Sequence, residues 1–223
     1  GIPQVNYVTV LAADWKGDER KRAALLDDAA ALGFPCFVKP ARLGSSVGIS
    51  KVRSRSDLLE GLMDAAQYDR RLVVERAVPA REIEVSVLGN EQPEASMPGE
   101  IVPSDEFYSY RAKYIDETSE LHIPAPIDPE TAEEARRIAA EAYRAIDCAG
   151  MARVDLLLDK LNGKLYMNEI NTIPGFTSIS MYPKLWEASG VSYSELMDRL
   201  IELALARGRQ THGLSRRFKG AGG

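Results

Sequence analysis

Short apolar-rich runs at YVTVL (7–11), FPCFVKP (34–40), RLVVERAV (71–78) and REIEVSVLG (81–89) read as strands, and the last alternates apolar and polar positions with period two. In the last of these, Glu82, Glu84 and Ser86 alternate with Ile83, Val85 and Val87, which describes a sheet with one polar face. Between these stretches the period lengthens. Asp18 can cap a helix reaching about Leu32, which Gly33 and Pro35 end; Ser54 or Ser56 opens another, with Leu58, Leu59, Leu62, Met63 and Ala66 on its apolar side. Asp128-Pro129 supplies an N-cap and an N1 proline for a third helix, whose stripe runs from Ala132 through Ile138 and Tyr143 to Ile146. Pro183 starts a short helix with Leu185 and Trp186, and Ser192 with Glu195 makes a capping box for the last, carrying Leu196, Leu200 and Leu203.

Two regions depart from these periods. Residues 93–127 carry five prolines and the aromatics Phe107, Tyr108, Tyr110 and Tyr114; an ordered lid over a site is expected there, and aromatic anchors facing solvent are the alternative. The tail RGRQTHGLSRRFKGAGG is basic and glycine-rich and is expected to fray, with His212 solvated. His122 has no neighbouring histidine–carboxylate motif, so a polar loop histidine is expected.

The stretch from Gly150 to Tyr182 organises the chain. Apolar runs at 154–158 and 165–167 flank Asn162-Gly163, a pair that readily takes the positive backbone angles of a tight hairpin. Arg153 and Asp155 share one face of the outgoing strand, and Glu169 and Asn171 share a face of the returning one. A register with 155 opposite 169 needs an odd-length loop or a bulge. With it, two carboxylates and an amide oxygen converge where hard divalent cations bind, beside Arg153 for anionic oxygens. An ordinary hydrated sheet edge carries the same charges, so both readings stand. The following IPGFTSIS adds hydroxyls at Thr177, Ser178 and Ser180 and fits a ligand loop or a helix start.

A second candidate is ARLGSSVGISKV (41–52), which follows Lys39 at a strand end. Gly44 and Gly48 permit close backbone turns, and Ser45 and Ser46 add donors, so the loop can cover a triphosphate. It is neither a P-loop nor GxGxxG, and a Gly-Ser hairpin with a solvated lysine has the same spacing. Glu75 and Glu82, at strand positions nearby, can accept from an adenine amino group or from ribose hydroxyls, although most glutamates so placed lie on the surface.

Composition narrows the class. The chain has 223 residues, enough for one domain or two small ones, with 45% hydrophobic and 27% charged residues and a formal charge of -5. That balance offers no general attraction to nucleic acid or anionic membrane. No apolar run spans a bilayer, and GIPQVNYVTV lacks the regions of a secretion signal. Cys36 and Cys148 are expected to be free thiols, and the compartment is expected to be cytoplasmic.

Taken in order, FVKPARLGSSVGISKV, VERAVPAREIEVSVLG, FYSYRAKY, GMARVDLLLD and NEINTIPGFTSISMYP resemble the D-alanine:D-alanine ligases, which are ATP-grasp enzymes. The resemblance covers nearly all of the chain except its final tail. It implies an α+β ATP-grasp fold with a central nucleotide-clamping subdomain at 1–78, a C-terminal catalytic subdomain at 79–208 and a flexible tail at 209–223. It further implies that Lys39 contacts ATP phosphates, that the loop with Gly44, Ser45, Ser46 and Gly48 closes over them, and that Glu75 and Glu82 take adenine and ribose. Asp155, Glu169 and Asn171 would hold Mg2+, with Mn2+ as an alternative ion, and Arg153 would stabilise transferring oxygens. Ser180 would orient the acceptor, and Lys113 and Tyr114 match the mobile lid.

The reaction so implied joins two D-alanines through D-alanyl phosphate, for peptidoglycan precursor synthesis. A ligase making D-alanyl-D-lactate and a noncatalytic MgATP-binding or assembly fragment are the alternatives, and Tyr114 in RAKY favours the dipeptide. The family's N-terminal domain, which helps bind the first D-alanine and contributes to a homodimer, is expected to be absent from this chain.

Overall fold

The computed structural model describes residues 1–102 and 120–212, so the predicted lid residues Lys113 and Tyr114, with Phe107, Tyr108 and Tyr110, lie outside the described residues. The earlier apolar runs form one antiparallel sheet from β1 (Tyr7–Leu11), β2 (Cys36–Pro40), β3 (Ser50–Val52) and β4 (Arg71–Arg76), in the order β1-β4-β2-β3. Helices α1 (Ala12–Gly17), α2 (Glu19–Ala30) and α3 (Arg55–Ala65) intervene. Cys36, Val38, Leu72 and Val74 point to one side and pack with Leu58, Leu62, Ala65 and Ala29. Because side chains alternate, Phe37, Lys39 and Glu75 are left on the other side.

The helix starts follow local chemistry. Asp18 accepts from the Arg20 amide at 2.9 Å, and Ser54 accepts from the Asp57 amide at 3.2 Å, each relieving an orphan donor of a first turn. Helix α1 has no counterpart in the predicted elements; it forms as Trp15 enters the same core.

The second sheet contains β5 (Ala80–Gly89), β6 (Glu94–Ala95), β7 (Gly99–Val102), β8 (Glu120–His122), β9 (Gly150–Asp159) and β10 (Leu165–Asn171). Its order is β10-β9-β5-β7-β8, with β6 paired to β5. Residues 93–127 are therefore not a plain interruption: β6, β7 and β8 occupy part of that stretch, because short strands between prolines carry too little alternation to be recognised.

Helix α4 (Pro129–Ala145), capped by Asp128, lays Ala135, Ile138, Ala139 and Ala142 against Ile83, Val85, Val154 and Leu156. Each fully buried Ile or Leu of this set contributes roughly 1.5–3 kcal/mol. On the opposite face, α5 (Met181–Ala188) and α6 (Tyr193–His212) cover the far end of β5, where Tyr182, Trp186 and Leu196 pack on Leu88. Ser86 Oγ donates to the Tyr182 carbonyl at 3.1 Å, and Tyr182 Oη donates to the Val87 carbonyl at 3.0 Å. The polar face of β5 is thus covered at one end and open only towards Glu82.

Two boundaries are corrected. Helix α5 begins at Met181 rather than Pro183, and α6 continues to His212, so the expected tail from 209 starts as helix. The last turn holds because His212 Nδ1 lies 2.7 Å from the Gly208 carbonyl and Thr211 Oγ1 donates to the Arg207 carbonyl. At the other end, the Pro3 carbonyl accepts from the Met167 amide at 2.8 Å and Ile2 packs on the second core, covering the outer edge of β10. Among the described residues no helix is long and apolar enough to cross a membrane.

Candidate nucleotide and metal site

The hairpin β9–β10 builds the floor of the site. Leu165, Tyr166 and Met167 pair with Leu158, Leu157 and Leu156; the register then shifts, and Glu169, Ile170 and Asn171 pair with Asp155, Val154 and Arg153. The shift leaves Asn168 as the extra residue of a bulge, so the bulge rather than the loop brings 155 opposite 169. The turn also differs from the expected tight one. Gly163 alone of the Asn162-Gly163 pair is left-handed (φ 68), and Asp159 closes a longer loop by accepting from the Leu161 amide at 2.8 Å and from Asn162 Nδ2 at 2.9 Å.

Register carries the site across three strands. Glu84, Asp155 and Glu169 fall in one row, and Ser86, Arg153 and Asn171 in the next. Arg153 donates from Nε and Nη2 to the two oxygens of Asp155, both at 2.7 Å. Its Nε also lies 3.1 Å from Glu84 Oε2. Burial pulls the guanidinium pKa down, but the Asp155 and Glu84 carboxylates more than offset that, so the net shift is upward and Arg153 stays charged. Asn171 Nδ2 donates to Asp155 Oδ2 at 3.0 Å and to Glu169 Oε1 at 3.4 Å.

This donor set fits a hard divalent cation. Asp155, Glu169 and Asn171 converge within hydrogen-bond reach, and a half-turn of the Asn171 amide would present its oxygen in place of its NH2. Among the described residues no group of three or more His, Cys, Asp or Glu side chains is placed to hold an ion.

Above this floor a cleft of about 620 Å3 separates the two sheets, lined by Lys39 and Glu75 from the first and by Glu82, Leu157, Asn168 and Glu169 from the second. Lys39 Nζ is 2.5 Å from Glu75 Oε2 and donates to Asn168 Oδ1 at 3.0 Å, so one ammonium bridges the sheets. Glu75 and Lys39 lie diagonally across the β2–β4 pair, which explains their contact.

The loop after Lys39 is anchored at its root. Asp69 accepts from the Arg42 amide at 3.0 Å, from Arg42 Nη2 at 2.6 Å and from the Arg71 amide at 3.2 Å. The Arg42 guanidinium holds the Asp69 carboxyl well below the usual carboxylate range, against the opposing effect of burial. The expectation for Gly44 is corrected. The left-handed residues are Ser45 (φ 57), Ser46 (φ 57) and Gly48 (φ 72), while Gly44 has no such angle and open space around it. Gly48 is required, since a Cβ there would stand 2.6 Å from Tyr68 Cδ2 and 3.0 Å from Pro40 Cγ.

Ser180 sits at the start of α5 but does not cap it. Its Oγ accepts from the Thr177 amide at 3.1 Å and pairs with Thr177 Oγ1 at 2.9 Å, folding the IPGFTSIS loop on itself. Gly175 makes room for that hydroxyl, because a Cβ would come within 2.9 Å of it.

Three placements escaped the sequence reading. Glu84 belongs to the carboxylate row and is buried. Asn168 faces the cleft, and the adjacent polar pair Asn168-Glu169, which breaks period two, was the available signal. His122 is on β8 rather than in a loop, with Nε2 2.8 Å from Glu120 and Nδ1 3.5 Å from Glu100, which Arg81 also grips at 2.6 Å. Its carboxylate partners are cross-strand or two residues away, which a search for local motifs does not find.

Two antiparallel sheets with helices on their outer faces and a charged cleft between them make an α+β protein of the ATP-grasp fold. Residues 1–202 match the family model for the D-ala D-ala ligase C-terminus. A D-alanine–D-alanine ligase of Heliobacterium modesticaldum is 55% identical over 210 residues, covering 94% of this chain and 57% of that protein. One from a Thermoanaerobacter species is 57% identical over 206 residues, covering 92% and 56%. Among solved structures, the D-alanine–D-alanine ligase of Coxiella burnetii aligns with TM-score 0.78 and 38% identity over 95% of this chain and 55% of that one. The VanG D-Ala:D-Ser ligase of Enterococcus faecalis aligns with TM-score 0.79 and 34% identity over 91% and 57%. The chain belongs to the D-alanine–D-alanine ligase family, and it spans a little more than half the length of these relatives.

Proposed function

We propose that this chain carries the nucleotide-clamping and metal-binding machinery of an ATP-dependent ligase that joins two D-alanines for cell-wall precursor synthesis. The observation that carries the reading is the cleft where Lys39 meets Glu75 and Asn168, directly beside the Arg153–Asp155–Glu169–Asn171 group. In this reading residues 1–78 and 79–208 are the two clamping subdomains, ATP is held between them, and the surroundings are cytoplasmic.

Lys39 gives up its contact with Glu75 to meet phosphate oxygens, which frees Glu75 to accept from the adenine amino group. Glu82 accepts from ribose hydroxyls, and the Gly44–Gly48 loop offers backbone amides from its left-handed turns to the phosphates. Asp155, Glu169 and Asn171 would hold Mg2+ or Mn2+, which would supply positive charge against that of the phosphate oxygens. Arg153 orients the phosphate and carboxylate oxygens, and Ser180 helps place the acceptor. The first D-alanine carboxylate takes the γ-phosphoryl group, giving D-alanyl phosphate and ADP; the second D-alanine's amine then displaces phosphate. Excluding water protects that mixed anhydride from hydrolysis.

The test is D-alanine-dependent phosphate release from MgATP, with mass detection of the dipeptide in the same reaction. Dipeptide in step with phosphate is expected, either from this chain or after adding the N-terminal region of a relative. MgATP binding with no dipeptide in either case would replace the ligase reading by a binding or assembly role. Competition between D-alanine and D-lactate at equal concentration reads acceptor choice, with the dipeptide expected to dominate.

A further inference from the structure

Arg153 stands between two carboxylates that cannot both be its partner once a metal is bound. Asp155 is gripped through both of its oxygens at 2.7 Å, and these are the oxygens a hard cation needs. Guanidinium and cation therefore compete for one side chain. An arginine side chain only 20% exposed would become an uncompensated charge if it lost Asp155 with no other anion at hand. Glu84 is that other anion: it is the register partner of Asp155 on β5, its side chain is 5% exposed, and its Oε2 lies 3.1 Å from Arg153 Nε. It is not placed to join Asp155 and Glu169 as a third carboxylate ligand.

We propose that Glu84 is a positioning residue that takes over the Arg153 guanidinium when a divalent cation claims Asp155. The handover keeps the arginine's charge neutralised and its terminal nitrogens beside the nucleotide while Asp155 turns to the metal. It deepens the ligase reading by assigning how the metal set is uncovered, and it requires only that the set bind a divalent cation.

The experiment is titration of the full chain with Mn2+ in saturating ADP, following free Mn2+ by electron paramagnetic resonance. Arg153→Ala removes the competitor, and Mn2+ should bind roughly tenfold more tightly. Glu84→Gln leaves the arginine more dependent on Asp155, and Mn2+ should bind roughly tenfold more weakly. In the double variant the Glu84 effect should shrink several-fold. Equal weakening with and without Arg153 would make Glu84 a ligand or a mere field charge and overturn the handover, as would weaker binding in Arg153→Ala. Circular dichroism checks folding; should Glu84→Gln not fold, Glu84→Asp keeps the charge with shorter reach and must show the same dependence on Arg153. None of these readings uses dipeptide formation, so the ligase reading can fail while the handover holds, and the reverse.

Discussion

Replacing Glu169 by Gln removes one anionic oxygen from the set formed with Asp155 and Asn171 while keeping the side chain's size. Metal-dependent phosphate release is expected to fall at least about tenfold with the melting temperature little changed; unaltered MgATP turnover would remove Glu169 from the metal set. His122 makes a prediction of a different kind. The Glu120 carboxylate, and behind it Glu100, raise its pKa above 6.5 despite some desolvation. A folded pKa above the unfolded one stabilises at low pH: the contribution is full below about pH 6.5 and is lost as pH rises through the folded value. The melting-temperature advantage of wild type over His122→Gln should therefore be largest below about pH 6.5 and shrink as the pH rises above it. An advantage that grows with pH would refute the pairing. Glu120 stands two residues away on the same strand, but Glu100 could not be read from the residues around His122, since it reaches the ring only through β7–β8 pairing.

Among the elements, β5 carries the most demand, running between β9 and β7 with α4 on one face and the cleft on the other. It ends at Gly89, whose φ of 140 lies where side chains rarely go and whose added Cβ would stand 2.8 Å from Pro93 Cα and 3.0 Å from the Gln92 carbonyl. Those are backbone atoms and cannot give way cheaply. Gly89→Ala is expected to cost about 2 kcal/mol or more, read as a lower urea midpoint with an unchanged slope. Most strands and helices were legible because capping residues and period are local: Asp18, Ser54, Asp128 and Ser192 each accept from the backbone of the helix they open. The bulge at Asn168 was legible only as a need, stated as an odd-length loop or a bulge. Which of the two occurs depends on how Leu158 and Leu165 pack under α4, a contact remote in sequence.

For the whole molecule, a ligand held between the sheets should stabilise both. At a hundredfold excess over its Kd, MgATP is expected to add about 2.7 kcal/mol, seen as a melting-temperature rise of a few degrees. Lys39→Ala should remove most of that rise while leaving the apo protein folded; an undiminished rise would take Lys39 out of the nucleotide site. This backbone aligns equally well with a D-alanine–D-alanine ligase and with a D-Ala:D-Ser ligase, so the fold of the described portion does not by itself separate the two. The order of motifs from Lys39 to Ser180 pointed to the family, and alternation placed Arg153, Asp155, Glu169 and Asn171 on shared faces, because face is set by neighbours one or two residues away. Tertiary structure alone decided that Glu84 is buried beside Arg153, that Asn168 meets Lys39 across the cleft and that Ser45 and Ser46, not Gly44, turn the loop. Those outcomes depend on strand register and on the approach of two sheets, which arise from packing between residues far apart in the chain.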